Sequence, residues 1–95
     1  MKRLGQEPDE ARALIENALG FSLAAQKDYS GAVGHYKKAL KAKDDYPVAL
    51  NNLAFAQEKL LEDKDALNLY RRTLEIEPNN STAKKRLKRL ERRIT

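Results

Sequence analysis

Apolar residues recur along this chain at helical spacing, in five blocks separated by polar breaks. Ala11, Leu14, Ile15, Ala18, Leu19 and the run at 22–25 fall three and four residues apart, which places them on one side of a helix. Pro8 suits a first helical turn, where a missing N–H is no loss, and Asp9 and Glu10 favour the positive end of the helix dipole. The pattern therefore predicts a first helix over residues 8–26. Lys27-Asp28 breaks it. Tyr29, Ala32, Val33, Tyr36, Ala39 and Leu40 form a second stripe that ends near Ala42, and Asp44-Asp45-Tyr46-Pro47 makes a turn and a fresh start. Val48, Leu50, Leu53, Ala54 and the run at 56–60 predict a third helix. Asp63 or Lys64 opens a fourth, carrying Ala66, Leu67, Leu69, Tyr70, Leu74 and Ile76. Pro78 stops it, because proline cannot continue a helix and restricts the residue before it. Ser81 is the expected N-cap of a fifth helix with Ala83, Leu87, Leu90 and Ile94 on its stripe. No stretch alternates with the period of a strand, so the fold class is all-α.

The blocks repeat. An offset of 34 residues carries Asn17 onto Asn51, Leu19-Gly20 onto Leu53-Ala54, Phe21 onto Phe55, Ala32 onto Ala66, Tyr36 onto Tyr70 and Leu40 onto Leu74. A period of 34 with a helix–turn–helix inside it is a solenoid signature. Packing explains which residues recur. A small residue at Gly20 or Ala54 lets the first helix of a pair approach the second at Ala32 or Ala66. Tyr36 or Tyr70 then fills the seam to the next pair. In the third copy the position of Gly20 and Ala54 is Lys88, which suits a solvated terminal element of the kind a repeat stack requires.

On these residues the chain resembles the tetratricopeptide repeat (TPR) family across residues 13–94. The resemblance implies two TPR helix-turn-helix repeats, about 13–46 and 47–80, followed by a capping helix at 81–95, in a right-handed α-solenoid. Residues 1–7 are expected to be a flexible tail. The departures weaken the core. Glu16 and Leu50 stand where the family has Trp, Leu23 and Gln57 where it has Tyr, and Asp44 where it has the closing Pro. Two repeats and a cap also fall short of the roughly three needed for independent stability. The expectation is a marginal monomer, or one helped by self-association through Leu61, Leu69 and Ile76. The run from Tyr46 to Ala54, with Pro78-Asn79-Asn80 and the basic segment after it, is similar more narrowly to the photosystem I assembly TPR proteins of cyanobacteria and chloroplasts.

In this family the first helix of each pair lines the concave groove. Carried over by position, the peptide-binding surface is Leu14, Asn17, Phe21 and Ala24 from copy one. Copy two supplies Val48, Asn51, Asn52, Phe55 and Glu58, and the cap supplies Lys85, Arg86, Arg89 and Arg92. The asparagines suit a peptide backbone, the phenylalanines its apolar side chains, and the basic residues a carboxylate or an acidic C-terminus. Phe21 and Phe55 have a second reading as inward-facing core, and the sequence leaves both open. Some TPR domains clamp the acidic tails of Hsp70 and Hsp90. Asn52 and Arg86 match that clamp, but Asn17, Phe21 and Thr82 do not, so chaperone docking is not expected.

Composition narrows the remaining classes. The chain has 95 residues, which suits one domain, and no cysteine, which removes disulfide and thiolate chemistry. Its net charge of +5 is local. Residues 81–95 hold seven Lys or Arg against Glu91 alone, a net +6, so the first eighty residues sum to −1. That basic segment suits nucleic acid or an anionic membrane by charge, yet it carries no aromatic residue for base stacking, so nucleic acid is not expected as a partner. His35, the single histidine, has no carboxylate at helical spacing and reads as a surface residue. No metal spacing, phosphate loop or nucleophile arrangement is present. Neither a cofactor nor an enzymatic activity is expected. No apolar run reaches the roughly 20 residues of a membrane span. The chain reads as soluble and intracellular, or as a soluble domain of a membrane-anchored or plastid protein.

Overall fold

The computed structural model describes residues 8–94. They form five α-helices: α1 (Glu10–Ala25), α2 (Tyr29–Ala42), α3 (Pro47–Lys59), α4 (Asp63–Ile76) and α5 (Ser81–Ile94). No strand occurs among the described residues. The tail expected over residues 1–7 and the last residue of the cap, Thr95, lie outside them.

Local chemistry sets the boundaries. Asp9 caps α1, its side chain accepting the Arg12 N–H at 2.9 Å. Pro8 therefore precedes the cap instead of entering the first turn, and α1 starts two residues later than the sequence predicts. Asp28 caps α2 through the Gly31 N–H at 3.0 Å, and Pro47 occupies the first turn of α3. The cap of α5 is Asn80, whose Oδ1 accepts the Ala83 N–H at 2.9 Å. Ser81, expected in that role, is the first helical residue. A further contact favours Asn80: the same oxygen also accepts a bond from Asn51 on α3, so it serves two elements at once.

Both repeats close their first helix in the same way. Lys27 and Leu61, one repeat apart, take left-handed backbone angles of φ 66° and 63°. The N–H groups of Asp28 and Glu62 then reach back to the carbonyls of Leu23 and Gln57 at 2.9 and 2.8 Å, as in a Schellman motif. A side chain at such a site costs roughly 1–2 kcal/mol against glycine, partly offset by the greater chain entropy that glycine loses. Leu61 is 87% exposed and loses little packing if removed. Leu61→Gly is therefore expected to stabilise the fold by about 0.5 kcal/mol, seen as a rise of roughly 2–4 °C in Tm.

Each helix packs on its neighbour in sequence, so α1 pairs with α2, α3 with α4, and α5 closes on α4. The core is one row of small and aromatic residues. Ala32, Tyr36, Leu53 and Ala56 gather around the first seam. Ala54, Ala66, Tyr70, Ala83 and Leu90 gather around the second. Tyr36 and Tyr70 are fully buried, as their place in the repeat implies, while Lys88 is exposed. Leu69 packs against both clusters and is half-buried, as is Ile76. The exposed patch expected from Leu61, Leu69 and Ile76 thus reduces to Leu61, because α5 covers the side of α4 that the sequence left bare.

Candidate peptide-binding face

The first helices of the pairs, α1 and α3, and the terminal α5 together carry one face. At its centre an open groove of about 210 Å³ is lined by Phe21, Ala24, Ala25, Tyr36, Asn52, Phe55 and Arg86. Phe21 is 63% exposed, and Phe55 is half-buried beside it. Neither belongs to the two core clusters. The inward-facing reading of these rings is therefore set aside. The guanidinium of Arg86 stands 4.7 Å from the Phe55 ring centroid, and the Lys59 ammonium stands 5.2 Å from it. Both are cation–π distances, so two cations stand against this ring. Lys59 was missed in the sequence, although its i, i+4 spacing from Phe55 put it on the same side of the helix. Leu14 and Val48 lie exposed on α1 and α3.

The asparagines divide. Asn52 Nδ2 donates to Asn17 Oδ1 at 3.1 Å, which ties α3 to α1. That bond uses one donor and one acceptor of the pair, and each amide offers two donors and two lone pairs. Asn51 behaves otherwise. It is 6% exposed, its Nδ2 donates to Asn80 Oδ1 at 3.1 Å, and its buried Oδ1 meets no protein partner among the described residues. The expectation that Asn51 contacts a peptide is corrected. One residue before Asn52 means about 100° around the helix, which turns it toward the α4–α5 corner.

The basic cap divides too. Glu58 was expected on the binding surface, but its side chain is 4% exposed. It accepts bonds from Tyr70 Oη at 2.5 Å, Arg89 Nη2 at 2.7 Å and Arg93 Nη2 at 3.0 Å. Arg93 also bonds both oxygens of Asp63, at 3.0 and 3.1 Å. Burial by itself raises the carboxyl pKa of Glu58, but the bonds from Tyr70, Arg89 and Arg93 outweigh burial and hold it below the usual carboxylate range. Burial and this carboxylate together push the Tyr70 hydroxyl up, so it stays a donor. Arg89, expected to hold a partner's carboxylate, already holds that of Glu58. Lys85, Arg86 and Arg89 border an adjoining depression of about 220 Å³ with Ser81 and Thr82. Arg92 is exposed.

His35 does have a carboxylate partner. Its Nδ1 lies 2.7 Å from Glu16 Oε1 on α1. The bond to His35 draws the Glu16 carboxyl below its ordinary value. Spacing within α2 hid this contact because the partner comes from the facing helix. Among the described residues no helix is long and apolar enough to cross a membrane.

Helix pairs stacked at a fixed repeat, with one open face carried by alternate helices, define an α-helical repeat protein of the interaction type. A family profile described as tetratricopeptide repeat matches residues 23–90, and the chain belongs to that family. Among its relatives, the protein ycf37 of Cyanophora paradoxa is 39% identical over 82 residues, covering 86% of this chain and 48% of its own. The chloroplastic tetratricopeptide repeat domain-containing protein PYG7 of Arabidopsis thaliana is 34% identical over 86 residues, covering 90% of this chain and 29% of its own. The chain thus spans about half or less of the length of these relatives. Among solved structures, the first TPR domain of human RPAP3 superposes with a TM-score of 0.83 at 23% identity, over 88% of this chain and 66% of that one. The first TPR of Spaghetti (RPAP3), bound to the HSP90 peptide SRMEEVD, gives a TM-score of 0.57 at 22% identity, over 95% and 98%. At such identity the likeness shows the fold alone, an all-α helical-repeat solenoid.

Proposed function

We propose that the chain binds a peptide or protein segment along the face of α1, α3 and α5, without catalysis, as a scaffold for assembling a larger complex. The observation that carries this is the convergence of Phe21, Phe55 and Arg86 on one open groove. An apolar side chain of the ligand lies between the two rings. Its backbone meets Asn17 and Asn52, its flanks reach Leu14 and Val48, and an acidic group meets Arg86 and Lys85. The fold neighbour that binds an acidic HSP90 peptide supports an acidic ligand in general. The mismatches at Asn17, Phe21 and Thr82 argue against the chaperone tail in particular. A nucleic-acid role for α5 is disfavoured because Glu58 and Asp63 already neutralise Arg89 and Arg93. The resemblance to photosystem I assembly proteins and the chloroplastic relative support a plastid or cyanobacterial setting.

The test is capture of partners from a plastid or cyanobacterial extract by wild type, Phe55→Ala and Arg86→Glu, read by mass spectrometry. Each variant is expected to weaken the principal partner about tenfold or more, as removal of a central aromatic or arginine anchor does. If both retain every wild-type partner while folding normally, the groove assignment is wrong.

A further inference from the structure

Helix α1 carries a second apolar stripe that the binding face does not use. Ile15 is 59% exposed and Leu19 46%, flanked by the exposed small residues Ala11, Ala18 and Ser22. The internal repeat shows what such a stripe is for. One repeat later the same positions are Ala49, Leu53 and Ala56, all buried, with Leu53 and Ala56 in the cluster formed with Ala32 and Tyr36 of α2. In repeat one no element among the described residues supplies that cover. The opposite end of the stack differs. There the positions matching the buried Leu50, Ala54 and Gln57 are Lys84, Lys88 and Glu91, all exposed. Of the described helices, the stack is polar at the α5 end and apolar at the α1 end.

This asymmetry selects the mode of pairing. Stacking copies head to tail sets Ile15 and Leu19 against the exposed Lys84 and Lys88, which desolvates two ammonium groups on a surface that offers them no acceptor. A two-fold pairing sets apolar on apolar and closes at two copies. We propose that two copies of this chain associate through antiparallel α1 helices, with Ile15 of each against Leu19 of the other. In that register Arg12 falls beside Ser22 and Glu10 beside Ala24, so no like charges meet. Ala11 and Ala18 allow close approach of the two backbones. A single helix pair covers less than the roughly 800 Å² per partner of a standard interface, so the dimer is weak, with a Kd in the range of tens to hundreds of micromolar. The groove lies on another side of α1, so the dimer presents two grooves and binds a multivalent partner more tightly than one copy does.

Sedimentation equilibrium from about 10 μM to 1 mM tests this, a range that brackets the expected Kd. The average mass is expected to rise from 10.8 kDa toward twice that value and stop there. The double variant Ile15→Lys, Leu19→Lys is expected to stay monomeric with an unchanged helical circular dichroism spectrum, since both side chains are already exposed. Phe55→Ala is expected to dimerise like wild type, which separates this surface from the groove. A wild type that is monomeric throughout, growth beyond two copies, or undiminished association of the double variant would each overturn the proposal.

Discussion

Replacing Glu58 by alanine is expected to lower the unfolding free energy by about 3 kcal/mol, a large share of what a 95-residue domain has. The sum has two parts. Tyr70 is fully buried, and without Glu58 its hydroxyl has lost the acceptor that holds it, at a cost of roughly 1–3 kcal/mol. Arg89 and Arg93 are about half exposed and rehydrate when released, so each lost ion pair adds at most about 1 kcal/mol. Chemical denaturation followed by circular dichroism measures the total. Tyr70→Phe removes the hydroxyl together with its need for a partner and is expected to cost less. A double-mutant cycle between the two positions should show a coupling of about 1 kcal/mol or more, and additivity would mean that the two groups act independently.

The same carboxylate makes a pH signature. The folded state holds the Glu58 pKa below the ordinary carboxylate value. The unfolded chain then binds the proton first as pH falls. The contribution of Glu58 is therefore complete above the unfolded pKa and is lost as pH falls through the depressed folded one. Glu16, lowered by its bond to His35, acts in the same direction. Wild type is expected to lose stability more steeply than Glu58→Ala on acidification below the ordinary carboxylate pKa. Parallel slopes would assign the acid sensitivity elsewhere.

The architecture was legible in the sequence because it is periodic. Five stripes, a 34-residue offset and the pairing of Gly20 and Ala54 with Tyr36 and Tyr70 are all one-dimensional signals. The candidate face was open to reading only by position in the repeat. Helical phase located Phe21, Phe55 and Asn52, but the partners of the polar groups come from other helices. Glu58 and Arg89 are 31 residues apart and looked like two members of one surface. Only the fold, which lets the Arg89 side chain of α5 reach Glu58 of α3, shows that they neutralise each other. Asn51 and Asn80, 29 residues apart, and His35 and Glu16, 19 apart, were hidden for the same reason.

Gly20→Ala and Gly34→Ala are expected to have opposite signs, though both place alanine in a helix interior where it is intrinsically better by about 1 kcal/mol. At Gly34 an added methyl meets nothing within 4 Å, so most of that gain is realised, about 0.5–1 kcal/mol. At Gly20 the methyl lies 2.6 Å from two carbons of the Tyr36 ring and 3.1 Å from the Ala32 carbonyl. The ring is fully buried and the carbonyl belongs to α2, so either Tyr36 leaves its rotamer or the helices separate. Overpacking of this kind costs roughly 1–3 kcal/mol, and more where backbone must move. Taking the upper part of that range and subtracting the helical gain leaves Gly20→Ala about 2 kcal/mol less stable than wild type. The second repeat carries alanine at this position, Ala54, fully buried against its own helix pair. The second pair thus accommodates a methyl group at the position where the first meets the Tyr36 ring. Denaturation midpoints of the two single variants decide the matter. If Gly20→Ala proves as stabilising as Gly34→Ala, the α1–α2 contact yields to a methyl and does not fix the register of the first repeat.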